Sequence, residues 1–220
     1  CKRPALPLMG IKPSGMLDGF DSCYAILQLK ESVDKRLHFL GFRQLADVLE
    51  MVPNIENYAV VYLKELPEDF ELQKEDLEKI YYIFNMQRPE DFKGHSLSVG
   101  DIVAFKFNGK TEYHYVDSFG FVSLVDFEKP VIQIGNHSCH LVDEFQVYDG
   151  NIIQLGNFMD SSGAVFFFAM IQNGNYVEEY DYRPSRKEME DDYIAEMADR
   201  ELGKQEERSG AGEIGAIYTI

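Results

Sequence analysis

The chain has 220 residues, 45% of them hydrophobic and 27% charged, which is typical of a folded globular protein rather than a disordered one. Its 38 acidic and 21 basic residues give a net charge of −17, which argues against direct nucleic-acid binding and against binding to an anionic membrane. Three cysteines without a repeated spacing, and no apolar run of about 18 residues, predict a cytoplasmic protein without a disulfide framework or a membrane span.

Strand and helix patterns follow the segment 1–20, whose Pro and Gly content without periodicity predicts an extended arm. Short apolar runs at 24–29 and 58–63 predict two buried strands. Apolar residues at helical spacing predict one helix over about 42–52, ended by a proline, and a second helix over 74–84.

From residue 101 the apolar period changes to two, and Asn108-Gly109 between two alternating runs predicts a tight hairpin. A two-residue turn there pairs Val103 with His114 and leaves apolar residues on both faces, so we expect a sheet that is covered on both sides. Further predicted strands are 119–125, 131–134, 145–148, 152–155, 164–171 and 176–182, with 149–151 and 173–175 as turns.

Near the C-terminus, Ser185 and Glu188 have the spacing of a capping box, which predicts the start of a helix that ends at Gly203. Residues 204–215 are polar and rich in Gly, so we expect them to be mobile. The last five residues, 216–220, are apolar and are able to add a strand to a sheet edge.

These patterns predict an α+β fold: a mixed sheet with two N-terminal helices, an antiparallel β-rich second half and a C-terminal acidic helix. The expected segments are an arm at 1–20, an α/β domain at 21–128, a β-rich extension packed on it at 129–183, and an acidic helix with a mobile tail at 184–220.

The loop 88–101 has the highest density of chemically useful side chains, namely Arg88, Asp91, His95, Ser96, Ser98 and Asp101. A histidine beside hydroxyls and carboxylates is typical of nucleophilic catalysis, but adjacent residues such as His95 and Ser96 rarely reach that geometry. The alternative is that these side chains satisfy the backbone of a long connection, and we favour it because loop polar groups bond mainly to backbone or water.

A second cluster, His137-Ser-Cys-His140, places His137 and Cys139 on one face of a strand. A structural zinc site needs four ligands, and no second Cys or His pair is present, so we predict no metal site. The sequence also lacks a glycine-rich phosphate loop, and no cofactor is expected.

The C-terminal helix predicts an acidic face that carries Glu188, Glu190, Asp191, Asp192, Glu196 and Asp199. Net negative charge by itself supports solubility, and a binding face is the narrower interpretation.

The strings at 24–29, 58–62, 88–103 and 115–121 resemble the YodL-like domain, an uncharacterised module of mobile-element and conjugative-transposon proteins of Firmicutes. Gly94-His-Ser-Leu-Ser-Val99 followed by Asp101 is the most specific of them, while Gly100 departs from the serine expected there. The resemblance covers about 22–127 and implies a part of a larger multidomain protein, which agrees with a first residue other than Met. It supplies no catalytic residues.

Three hypotheses for function follow. The first is a non-enzymatic interaction module that binds a host or element protein through an acidic face, in one version by DNA mimicry, in which carboxylates imitate phosphates. The second is a hydrolase-like enzyme that uses His95, Ser96, Ser98 and Asp101. The third is a purely structural domain of a larger protein.

Overall fold

The computed structural model describes residues 16–67, 69–172 and 176–214, which form two five-stranded sheets and two α-helices. Sheet A contains β1 (Cys23–Leu29), β2 (Tyr58–Glu65), β3 (Ile102–Phe107), β4 (Lys110–Val116) and β5 (Phe121–Leu124). Sheet B contains β6 (Val131–Ile134), β7 (His137–Gln146), β8 (Ile152–Met159), β9 (Val165–Ile171) and β10 (Val177–Tyr180). The helices are α1 (Lys74–Met86) and α2 (Arg186–Ile214).

Both sheets are antiparallel wherever their strands are described, with orders β2-β1-β3-β4-β5 and β10-β9-β8-β7-β6. The prediction of a mixed sheet is therefore wrong. The physical reason is that consecutive strands are joined mostly by short turns, which connect antiparallel neighbours, and the one α-helical connection between strands runs from β2 to β3, which are not paired.

The elements stack in four layers, α1, sheet A, sheet B and α2, because each sheet buries apolar side chains on both faces. One face of sheet A packs on α1 through Ile26, Phe105 and Phe84. Its other face meets sheet B in a shared core to which Leu27 and Phe158 both contribute. The outer face of sheet B then packs on α2, through a cluster of residues that comprises Val147, Ile153, Leu155, Ala169, Ile171, Tyr176, Tyr180, Met189 and Tyr193.

The predicted hairpin is confirmed in position and in register. Asn108 and Gly109 both have positive φ, 51° and 73°, as a two-residue turn of this kind requires. Val103 pairs with His114, which is 8% exposed, so the strand pair lies in a sheet covered on both faces as the alternating pattern predicts.

Only one of the two predicted N-terminal helices is an α-helix. The helix predicted over 74–84 is present as α1, whereas the region 42–52 contains only a five-residue π-helix, Gln44–Val48. Its wide turn is closed by the Leu49 N–H, which donates to Gln44 O, and Glu50 then turns the chain with φ 52°. Phe42 and Leu45 are buried while Leu49 is 42% exposed. The apolar spacing therefore does not mark one face of a continuous helix.

The remaining short helical turns are 3₁₀-helices at Met16–Gly19, Lys35–Leu37 and Ile55–Asn57. No helix in the described part of the chain is long and apolar enough to span a membrane.

Helix α2 begins as predicted but ends later. The Glu188 N–H donates to Ser185 Oγ at 3.2 Å and the Ser185 N–H donates to the Glu188 carboxylate, which confirms the capping box. The helix continues through Gly203 to Ile214, so the predicted end at Gly203 is wrong, while the mobility of 204–215 stays a prediction. A glycine costs a helix only about 1 kcal/mol, which strong helix formers on both sides offset. The predicted turn at 173–175, most of the arm and the last residues, 215–220, lie outside the described residues.

Candidate functional site

The loop 88–101 connects α1 to β3 and is fastened to β1 by Gln28, a strand residue that is 3% exposed. The Gln28 amide oxygen accepts from the His95 backbone N–H at 3.0 Å. The Gln28 Nε2 donates to the His95 carbonyl oxygen and to Asp101 Oδ2, each at 2.9 Å. One side chain therefore binds both peptide groups of His95 and the carboxylate at the end of the loop.

Gly94 allows the loop to approach Gln28 this closely. A Cβ atom at position 94 would lie 2.2 Å from Gln28 Oε1 and 2.9 Å from the ring of Phe92. Any larger residue would push the loop away from β1, so the glycine is required by packing.

Asp101 is the buried acid of the site, with 3% of its surface exposed. Its Oδ2 accepts from Gln28 Nε2 and from the Ser98 backbone N–H at 2.8 Å. Burial raises the pKa of the Asp101 carboxyl from its ordinary value of 3.8 to about 6, although the Ser98 N–H, the nearby His95 and Gln28 act in the opposite direction. The carboxylate thus stays ionised near neutral pH because its neighbours donate to it.

The hydrogen-bond partners of His95 determine where its imidazole proton lies. The two hydrogens of Gln28 Nε2 are used by the His95 carbonyl and by Asp101, so the 3.0 Å contact between Nε2 and His95 Nδ1 takes neither of them. Nδ1 lies 2.7 Å from the Ser96 carbonyl oxygen, which only accepts. In the neutral ring Nδ1 therefore carries the proton, and the lone pair is on Nε2 of a side chain that is 46% exposed.

The structure brings four of the six predicted loop residues together: His95, Ser96, Ser98 and Asp101. Ser98 Oγ donates to the Ser96 carbonyl at 2.8 Å, and Asp101 Oδ2 lies 3.8 Å from His95 Nδ1.

The other two residues of the predicted set are engaged elsewhere. The Arg88 guanidinium lies 5.1 Å from the centre of the Phe92 ring and donates to the Gly94 carbonyl. Asp91 is exposed and lies near Tyr62, whose pKa is raised first by burial and then by the Asp91 charge.

Phe39 stands next to this loop with its ring centre 5.8 Å from that of His95. Its side chain is 63% exposed and its φ is 59°, a left-handed conformation that a bulky residue rarely adopts. The chain on either side is held: Tyr115 OH donates to the Leu40 carbonyl at 2.7 Å, and Gly100, with φ 95°, passes so close that a Cβ there would lie 3.4 Å from the Phe39 nitrogen. A strained backbone thus presents an aromatic ring to solvent.

The His137-Ser-Cys-His140 cluster is part of β7 and serves packing. The His137 ring stacks on Phe168 with ring centres 4.4 Å apart, and Cys139 is fully buried. His140 is 3% exposed, and burial lowers its pKa to about 4. Among the described residues, no group of three His, Cys, Asp or Glu side chains is placed to hold a metal ion.

The six predicted carboxylates of α2 do not share one face. Glu188, Asp192, Glu196 and Asp199 follow one another at intervals of four, four and three residues, so they lie along one side of the helix. Asp191, three residues after Glu188, borders this row, and Glu190 falls outside it.

Several of these acidic groups already have partners within the protein. Asp192 accepts from Tyr180 OH at 2.7 Å, Asp191 pairs with Lys187, and Glu196 pairs with Arg200.

The family model of the YodL-like domain matches residues 23–127. This part of the chain is a YodL-like domain. The matched range begins at the first residue of β1 and ends after β5, so the YodL-like domain contains all of sheet A, α1 and the loop 88–101. Searches of curated proteins and of solved structures found no match to the chain.

Sequence reasoning missed Gln28 and Phe39, the two residues that give the loop its position and its exposed ring. Gln28 lies in the apolar run 24–29, and a single amide within a buried strand is the signal that it needs a buried partner. Phe39 carried no signal, because an exposed aromatic residue is recognised only from the structure.

Proposed function

We propose that the chain is a non-enzymatic interaction module that binds a protein partner through the surface formed by Phe39, His95, Ser96 and Ser98, hereafter the loop face. The observation that carries the proposal is the state of Phe39, which combines an exposed ring with a strained backbone. A left-handed conformation costs a residue other than glycine about 1–2 kcal/mol, and such strain is concentrated at functional sites. Stability alone would favour glycine or asparagine at this position.

Rigidity supports the same proposal. Gln28, Asp101 and Tyr115 fix the backbone around the exposed side chains. A surface that is ordered before binding loses less conformational entropy when the partner arrives, which is how a small area yields useful affinity.

The hydrolase alternative has less support. A serine nucleophile needs a hydrogen bond to its base, but Ser98 Oγ donates to the Ser96 carbonyl and His95 Nδ1 is bonded to that same oxygen. The cavity of about 90 Å³ between the sheets is lined by residues such as Leu45, Tyr58 and Ser138, and by none from 88–101.

The DNA-mimicry version of the proposal is also less favoured. It needs carboxylates that are free to replace phosphates, whereas Asp191, Asp192 and Glu196 have partners within the protein. The net charge of −17 remains an argument for a basic partner, because long-range attraction speeds encounter. A cytoplasmic location and a role in a larger protein of a mobile element are parts of this proposal.

The test is affinity capture from a lysate of a host that carries the element, with wild type, His95→Ala and Phe39→Gly as bait. Both variants keep the backbone bonds of the loop, because Gln28 binds the peptide groups of His95. Tyr148→Ala, which removes a ring that is 66% exposed in the β7–β8 turn, is the matched control. We expect a protein that wild type and the control retain and both loop variants lose, and that binds the purified chain directly. A set of captured proteins that is the same for all four baits would refute the proposal.

A further inference from the structure

We infer that the loop face recognises a guanidinium group, and that the partner therefore presents an arginine side chain to Phe39 and His95. This inference rests on the proposed function, since it names the chemistry that the proposed protein-binding surface accepts.

Several hydrogen-bond donors at the loop are already used by acceptors within the site. Both hydrogens of Gln28 Nε2 and the proton on His95 Nδ1 are used within the site. The Ser98 hydroxyl hydrogen is used by the Ser96 carbonyl. What His95 Nε2 and Ser98 Oγ offer outward is therefore lone pairs, and a ligand that satisfies them must bring N–H or O–H donors.

The ring of Phe39 favours a ligand whose donor group is a cation over a neutral one. The Phe39 side chain is 63% exposed, and a cation placed over the face of an aromatic ring is attracted by about 0.5–2 kcal/mol. The ring centres of Phe39 and His95 are 5.8 Å apart, so one group that stacks on Phe39 is within reach of His95 Nε2. A cationic donor matches both features at once.

Charge around the site agrees with a cation. The ionised carboxylate of Asp101 lies 3.8 Å from His95 Nδ1, and its charge strengthens the acceptor character of the imidazole. Of the two cations of the loop, Arg88 is placed over Phe92 and bonded to the Gly94 carbonyl, and Lys93 is exposed to solvent. At longer range the net charge of −17 attracts basic segments and repels nucleic acid.

Arginine fits better than lysine for a geometric reason. A guanidinium is planar, so it stacks flat on a phenyl ring while its N–H groups, which lie in its own plane, donate sideways to a neighbouring acceptor. An ammonium is a compact and strongly hydrated charge that makes only one of these contacts well.

The experiment titrates the ¹⁵N-labelled chain at pH 8 with three peptides of equal length in which arginine, lysine or citrulline alternates with glycine. Citrulline keeps the planar shape and part of the donor set, but it replaces one nitrogen with a carbonyl oxygen and removes the charge, so the set separates planar shape from charge. The readouts are the dissociation constant and the backbone and imidazole nitrogen shifts.

We expect the arginine peptide to bind about tenfold more tightly than the lysine peptide and more tightly than the citrulline peptide. Its binding should shift the signals of Phe39, His95 and Gly100. The free protein should show the two nitrogen shifts of an Nδ1–H tautomer at His95. Phe39→Gly and His95→Ala should each weaken arginine binding about tenfold, while Tyr148→Ala leaves it unchanged.

Phe39→Gly also keeps the test interpretable, because glycine adopts φ 59° without strain and the variant should unfold at a higher urea concentration than wild type. Equal binding of the arginine and citrulline peptides, or shifts confined to the carboxylates of α2, would overturn the guanidinium inference. If a partner found by capture still binds wild type and fails to bind the loop variants, the proposed function stands without the guanidinium inference. If capture fails as well, both fall.

Discussion

Sheet A buries Gln28 and Asp101 with their polar atoms bonded to the loop 88–101, whereas sheet B buries His140 and Asn157 with one polar atom of each left without a partner among the described residues. His140 and Asn157 face each other across β7 and β8, and they are 3% and 2% exposed. The two centres are similar in burial and opposite in hydrogen bonding. Gln28 and Asp101 thus organise a surface, whereas the unpartnered atoms of His140 and Asn157 reduce stability.

The largest effect should come from removing the side chain that holds the loop. Gln28→Leu leaves the Asp101 carboxylate buried with fewer donors and the His95 peptide groups unpaired, so we expect the free energy of unfolding to fall by about 3–5 kcal/mol in urea titrations. The matched control is Gln154→Leu in β8, where a residue that is 9% exposed donates to the exposed Glu144 at 2.7 Å. That change should cost about 1 kcal/mol, because Glu144 remains in reach of water. Equal losses in the two variants would remove the difference between the sheets.

A smaller effect should appear as pH dependence. The folded pKa of Asp101, about 6, lies above its ordinary value of 3.8, so the folded state binds its proton more tightly and stability falls as pH rises through 6. From pH 5 to pH 8 this group should lower the free energy of unfolding by about 1.4 kcal/mol. Asp101→Asn should abolish this slope, and the stability difference between variant and wild type should grow in the variant's favour as pH rises.

His140 should give a pH dependence of stability with the opposite sign. Its folded pKa of about 4 lies below its ordinary value of 6.5, so its contribution to stability is lost as pH falls from 6.5 towards 4. Because the two residues oppose each other between pH 4 and 6, the measurement must be the difference between each variant and wild type. A flat difference for Asp101→Asn would show that the carboxylate is not destabilised by burial.

The smallest effect should be at Asn157. Leucine has nearly the same branched shape, so Asn157→Leu removes the unpartnered Oδ1 and releases the exposed Asp126 to water. We expect stability to stay equal or to rise by about 1 kcal/mol, measured by urea unfolding. A clear loss would mean that the amide has a role in sheet B that its contacts do not show.

The sequence by itself determined the elements whose signals are local. The hairpin at Asn108-Gly109 was predicted to the residue because the turn requires positive φ, and period-two alternation then sets the register. The capping box at Ser185 and helix α1 were predicted for the same reason, since caps and helical spacing depend on residues within one or two turns. The likeness to the YodL-like domain also followed from short strings, and the family match over 23–127 confirms it.

Only the tertiary structure decided how the sheets are assembled and what the loop presents. The π-helix at Gln44–Val48, which buries Leu45 and Ala46, depends on packing that local propensity does not encode. Gln28 and His95 are 67 residues apart, so their pairing is a long-range contact that the sequence around either residue does not predict. The same holds for Phe39, whose strain and exposure arise because Tyr115 and Gly100 hold the chain around it. The loop residues were visible in the sequence, but the surface they form exists only once β1 lies beneath them.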